Sequence, residues 1–288
     1  MGKRIIISIS SDIGLALGRH WASVGHDVAG TFRRSSPALE ELKNRGIVGI
    51  ECDLMKKVST IDAANQLAKQ FSNWEVLVLA PGLQDPVGPF VECDFDEWEA
   101  SVAVNFLAQL RLVHSLLPFR TKSTKNGPLV LFFAGGGTNN ATVNYSAYTI
   151  SKVALIKMCE LFDAEIPDTR FSILGPGWVK TKIHDSTINA QTRAGENYSR
   201  TLTKLAGDDC VPIEKVVECC DWIASSSREI VGGRNFSLVY DKWGNKDLEI
   251  LLKQDPNMYK LRRSGNERLV SRTNAETNNV QSLKVTNR

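Results

Sequence analysis

The six cysteines include no CxxC pair, and the four histidines show no ligand spacing. A paired-cysteine metal centre is therefore not expected, and the thiols read as reduced residues of a cytoplasmic protein. No apolar run approaches the roughly 20 residues that a bilayer-spanning helix needs, so no membrane partner is expected. The opening MGKRIIISIS pairs a basic start with an apolar stretch. Ser8, Ser10, Ser11 and Asp12 cut that stretch short, which argues against a secretory leader. An excess of charge of one sign is also lacking. The 35 Lys and Arg stand against 32 Asp and Glu, a net +3 that gives no case for a nucleic-acid partner.

What the chain does have is alternation. Strand-like runs occur at 4–9, 27–32, 47–52, 75–80, 128–134, 170–175 and 235–240, several of them apolar at nearly every position. Strands buried on both faces must be apolar in this way. Helix-spaced apolar residues lie between them, such as Ile13, Leu17, Trp21 and Val24, or Trp98, Val102, Phe106, Leu110 and Val113. The pattern predicts an α/β fold, a doubly wound parallel sheet with helices on both faces. One domain is expected over 1–263. Residues 182–210 are polar and without period, and read as a lid-like insertion. Residues 264–288, poor in large apolar side chains, read as a flexible tail.

Glycine is scarce where a nucleotide would demand it. After the first strand comes SISSDIG, residues 8–14, a turn that could bring a diphosphate to the N-terminus of the next helix. Ser8 and Asp12 stand where earlier glycines would be, and Gly14 alone is kept. Ser11 or Asp12 would equally serve as an ordinary helix cap. The second strand ends in GTFRR, and a guanidinium at Arg33 or Arg34 suits a 2′-phosphate, favouring NADP(H) over NAD(H). Asp53, followed by Leu54, closes the third strand and could meet an adenine amino group.

A tyrosine and a lysine four residues apart share a helix face, as Tyr148 and Lys152 do in AYTISK. Tyrosine unaided titrates near pH 10, so a nearby cation is what fits it for proton chemistry near neutrality.

Together these motifs resemble the short-chain dehydrogenase/reductase family over roughly residues 4–240. SISSDIG is similar to a degenerate TGxxxGxG turn, and LAPG (79–82) to NNAG. VNFLAQL offers Asn105 for the family's helix asparagine, AYTISK matches YxxxK, and GPGWVKT (175–181) resembles PGxVxT. The resemblance implies a Rossmann-type, seven-stranded parallel sheet and an oxidoreductase that binds NADP(H). It also implies a homodimer or homotetramer built through the long helices.

By the same resemblance, Tyr148 is the acid/base at the substrate oxygen, and Lys152 lowers its pKa and binds the nicotinamide ribose. Asn105 holds a water of a proton relay. Coenzyme contacts fall on Ser8, Ser10, Ser11, Asp12, Ile13, Arg33, Arg34, Asp53, Leu54, Ala80, Pro81, Gly82, Tyr148, Lys152, Pro176, Gly177, Val179 and Thr181, and no metal is implied.

One component is missing. The family's serine after the fifth strand falls here on Ala134 or Gly135, neither of which has a hydroxyl. Losing one preorganised donor to an oxyanion costs on the order of 3–4 kcal/mol, a handicap short of abolition. Thr138 is the expected replacement, and Ser146 is expected to face solvent. A serine restored at Ala134 or Gly135 is expected to raise activity if the donor is truly missing.

The expected activity is interconversion of a ketone and a secondary alcohol by hydride transfer. The basic residues Lys180, Lys182, Arg193, Arg200 and Lys204 suit a phosphorylated or nucleotide-linked substrate, and the extension 241–263 resembles family members of bacterial polysaccharide or deoxysugar synthesis, which implies a keto-sugar. The alternative is a catalytically weak NADP(H)-binding protein that acts as a redox sensor or partner protein.

Overall fold

The computed structural model describes residues 2–264, so nearly all of the expected tail lies outside the described residues. The chain runs β1 (Lys3–Ile7), α1 (Asp12–Ser23), β2 (Asp27–Phe32), α2 (Pro37–Asn44), β3 (Val48–Glu51), α3 (Lys57–Gln70) and β4 (Trp74–Leu79). Then come α4 (Phe95–Val102), α5 (Ala108–Leu116), β5 (Leu129–Phe133), α6 (Ser146–Glu165) and β6 (Arg170–Gly175). The remainder is α7 (Asp185–Ala190), α8 (Glu196–Ala206), α9 (Ile213–Ser225), α10 (Arg228–Val231), β7 (Arg234–Ser237) and α11 (Lys246–Gln254).

The seven strands form one parallel sheet in the order β3-β2-β1-β4-β5-β6-β7. Chain order reverses between β1 and β4, and ligands of such sheets bind in the crevice beyond the strand ends at that reversal. Each central strand feeds two cores. Ile6, Val76, Val78, Leu129 and Leu131 pack on the face carrying α1, α2 and α9. Ile5, Ile7, Leu77, Leu79, Val130 and Phe132 pack on the face carrying α3, α5 and α6. This two-sided burial is why these strands read as unbroken apolar runs.

Local signals start several helices. Ser11 and Ser36 accept from Gly14 N and Leu39 N at the heads of α1 and α2, and Asp94 accepts from Glu97 N at the head of α4.

Three features were not legible beforehand. The segment 182–210 is largely helical, because its inward face is built from Thr187, Ala194, Tyr198 and Thr201. These side chains are small or polar, so no apolar period shows. The stretch beyond β7 packs on its own chain, with Leu248 and Leu252 buried and Arg234 donating to carbonyls of Leu252, Asp255 and Met258. Finally, Phe95–Phe119 is one helical rod of mean hydropathy 1.3, long and apolar enough by composition to cross a membrane. Asn105, Gln109 and Arg111 interrupt its apolar residues, and it lays Leu112, Val113 and Leu116 into the core.

Candidate active site

Because the strands run parallel, the turns after β1, β3, β4, β5 and β6 collect at one sheet edge. Residues 8–13, 53–54, 80–82, 134–137 and 176–181 are those turns, so the expected coenzyme residues share one rim.

In the first turn Ser8 adopts φ 61, the left-handed conformation that glycine takes at least cost. A Cβ on Gly14 would lie 2.4 Å from Ser8 O, which explains why this glycine stays. Ser11 is the cap, and Asp12 begins the helix. The Asp12 carboxylate accepts from Lys182 N at 2.8 Å, although 170 residues separate the two. Beside it, Ile183 Cδ1 would lie 3.0 Å from a Cβ on Gly82. Lys182 and Ile183 thus reach from beyond β6 across the crevice to the turns after β1 and β4.

Arg33 and Arg34 are exposed at the end of β2, and neither forms an ion pair among the described residues. Asp53 folds back on its own turn, accepting from Met55 N at 3.1 Å.

Tyr148 and Lys152 lie one turn apart in α6, with the ammonium 5.6 Å from the phenol ring centre. Lys152 is buried and donates to the carbonyls of Pro81 and Phe133, each at 3.0 Å. Those bonds tie α6 to the turn after β4 and the end of β5. Burial lowers the Lys152 pKa to about 7 and raises that of Tyr148 to about 12. Loss of solvation drives both shifts.

The phenol stands directly over Gly135, whose added Cβ would lie 2.7 Å from the Tyr148 hydroxyl. Ala134 is buried with its Cβ in the core under α6. The hydroxyls beside the glycine run are those of Thr142, whose Oγ1 would be 3.3 Å from a Cβ on Gly137 and 3.8 Å from one on Gly136, and of Thr149, whose Oγ1 would be 3.4 Å from the Gly137 position. Sequence spacing missed Thr142 because the loop doubles back after residue 137. Ser146 is not solvated as expected, since it accepts from Trp98 Nε1 at 2.9 Å.

Asn105 is fully buried in a π-turn, Ala103–Leu107, between α4 and α5. Its side chain accepts from Leu83 N at 2.9 Å and donates to Leu83 O at 2.7 Å. Its main-chain carbonyl accepts from Gln109 Nε2 at 2.6 Å, a partner the sequence motif did not single out.

Above the rim, the 182–206 segment closes over the site. Tyr145 hydrogen-bonds Thr187, Thr187 donates to Gln84, and Ser186 donates to Asp85. A small core of Val87, Tyr145 and Ala194 forms there, with Ala190, Tyr198 and Tyr148 itself packed against it.

Comparison with known proteins agrees with this geometry. The short chain dehydrogenase family model matches residues 4–192. The chain belongs to the short-chain dehydrogenase/reductase family, a family of oxidoreductases.

A short chain dehydrogenase of Aspergillus terreus is 23% identical over 201 residues, covering 67% of this chain and 40% of that protein. A serine 3-dehydrogenase of Agrobacterium fabrum is 23% identical over 234 residues, covering 80% of this chain and 90% of the relative. The crystal structure of an actinorhodin polyketide ketoreductase variant with NADPH superposes with TM-score 0.70 at 19% identity. It covers 85% of this chain and 97% of that one. This short-chain dehydrogenase/reductase thus shares its fold with remote relatives and spans less than half of the Aspergillus protein.

Proposed function

We propose that this family member interconverts a ketone and a secondary alcohol with NADP(H) as coenzyme. The observation that carries the reading is the Tyr148–Lys152 pair, held on α6 over Gly135 and anchored to Pro81 and Phe133 at the sheet edge. The rim fits a dinucleotide. It offers the N-terminus of α1, a turn packed so closely that Gly14 admits no Cβ, and two arginines at the end of β2 that form no ion pair among the described residues.

When bound, the nicotinamide supplies or accepts the hydride. Residues 8–13 would hold the diphosphate, Arg33 and Arg34 the 2′-phosphate, and Val179 and Thr181 the nicotinamide end. Tyr148 gives its phenolic proton to the carbonyl oxygen during reduction and takes it back during oxidation. A threonine hydroxyl at the glycine run, from Thr138, Thr142 or Thr149, supports that oxygen where the serine is missing.

For the substrate we favour an anionic, nucleotide-linked or phosphorylated keto-sugar. Lys204 is paired with Asp209 and Arg200 lies over the Trp178 ring, whereas the Arg193 guanidinium rests against Gly88 next to the small core around Tyr148. Exposed Phe90, Phe95, Leu107, Ile150 and Leu161 on and beside α4, α5 and α6 support a homodimer or homotetramer. The free cysteines support a cytoplasmic location. A second reading, a binder with little turnover, is favoured by the closure over Tyr148 and the missing serine.

The deciding experiment follows NADPH oxidation with a panel of carbonyls, including nucleotide-linked keto-sugars, beside Tyr148→Phe. Oxidation lost in Tyr148→Phe at unchanged NADPH affinity is the expected result. Tight NADPH binding with no turnover of any carbonyl favours the binder, and equal turnover in the variant removes Tyr148 as the acid.

A further inference from the structure

Space alone does not account for the glycine run at the end of β5. Gly135 must lack a Cβ beneath the Tyr148 ring, and Gly137 takes φ 96 with Thr149 Cγ2 2.4 Å from a Cβ built on it. Gly136 is under neither constraint. Its φ lies outside the left-handed region, and the atom nearest to a Cβ there is Thr142 Oγ1 at 3.8 Å. What the three share is a bare main chain whose amides reach no acceptor among the described residues. Beside them, Thr149 Oγ1 is buried and also has no partner among those residues.

The strand sets the direction of the Gly135 amide. Ala134 N donates to Leu174 O of β6 at 2.9 Å. Phe133 O, one residue earlier, turns the other way and accepts from Lys152, as Pro81 O after β4 does. Main-chain polar groups of successive extended residues face alternate sides, so the Gly135 N–H turns back toward β4, into the gap that holds the Lys152 ammonium. The Tyr148 hydroxyl borders this gap, 2.7 Å from where a Gly135 Cβ would stand. A main-chain nitrogen lies about 2.5 Å from its own Cβ position, which puts amide and hydroxyl within about 5 Å of each other. One oxygen atom between them can accept from both at ordinary hydrogen-bond lengths.

We propose that the Gly135 main-chain N–H is a donor to the substrate oxygen, which it shares with Tyr148 and the threonine hydroxyl of the glycine run. During reduction the carbonyl carbon takes the hydride of the reduced nicotinamide, charge builds on the oxygen, and the phenolic proton of Tyr148 neutralises it. A fixed amide facing that oxygen lowers the barrier because nothing has to reorient as the charge appears. Glycine brings this donor without a side chain that would displace the ring. The inference rests on the reading of Tyr148 as the acid, and one arm of its test needs no turnover.

The first arm replaces Gly135 with glycolic acid in the full chain, exchanging the amide N–H for an ester oxygen without adding a side chain. The same exchange at Gly136 is the control. With NADPH and a carbonyl that the wild type reduces, kcat should fall on the order of 100-fold at 135 and by no more than about threefold at 136. Equal losses at the two positions would overturn the proposal. The second arm follows the Gly135 amide by NMR in the unmodified chain, labelled so that only glycines preceded by alanine are seen. Those are Gly30, Gly135, Gly195 and Gly207. Acetate is titrated in as an oxyanion probe, and a downfield shift confined to Gly135 is expected. A Gly135 signal that does not move would also overturn the proposal. If the wild type reduces no carbonyl, the proposed activity fails, and the acetate titration still decides whether this amide takes an oxyanion.

Discussion

The Tyr148 phenol rests on Gly135. A Cβ there would lie 2.6 Å from the ring and 2.7 Å from its hydroxyl, distances no side chain tolerates without displacement. The glycine at 135 and the position of the tyrosine are therefore one structural fact. Absence of a side chain at 135 is what allows the ring to lie where it does.

That relation reverses an expectation for the obvious repair. A serine at 135 should push Tyr148 off its seat, not supply a donor. Gly135→Ala and Gly135→Ser should each cost about 1–3 kcal/mol of stability by overpacking and lower turnover at least tenfold. Unfolding midpoints together with kcat measure both effects. A Gly135→Ser enzyme more active than wild type would show that the ring moves aside easily.

The arginines at the end of β2 stand apart from every acidic residue among those described, so their charge is free for a ligand. Arg33→Glu should weaken NADPH binding at least tenfold while changing NADH binding less than threefold, because the exchange removes a phosphate partner and adds a repulsive charge. Titration of both coenzymes by fluorescence checks it. Equal losses for the two would take Arg33 away from the 2′-phosphate.

Asp12 bridges α1 to Lys182 N and so ties the 182–206 segment across the crevice. Breaking that tie with Asp12→Gly should raise amide hydrogen exchange over residues 181–190. It should also strengthen NADPH binding several-fold, since a carboxylate no longer stands at the helix end that attracts the diphosphate. Asp12→Asn, which keeps an acceptor but drops the charge, should fall between. Unchanged exchange in Asp12→Gly would show that the segment is held by Tyr145, Thr187 and Gln84 instead.

The doubly wound parallel sheet and the rim could be read from the chain because the physics there is local and repetitive. A strand covered on both faces must be apolar throughout, as Leu129–Phe133 is, and parallel strands put every following turn on one edge. Tyr148, Lys152, Arg33 and Gly14 stand out in the sequence through short motifs and the resemblance to the family. What the site does with them depended on contacts between segments far apart in the chain.

Thr142 and Thr149 meet the glycine run through a loop reversal and a helix start that spacing does not encode. The helices of 182–206 escaped detection because they bury threonine and alanine in place of leucine. The raised Tyr148 and lowered Lys152 pKa values, and the closure of Gln109 on Asn105, come from burial and side-chain direction. Burial of a charge and the meeting of two helices are collective properties of the packed molecule, so tertiary structure alone decided them.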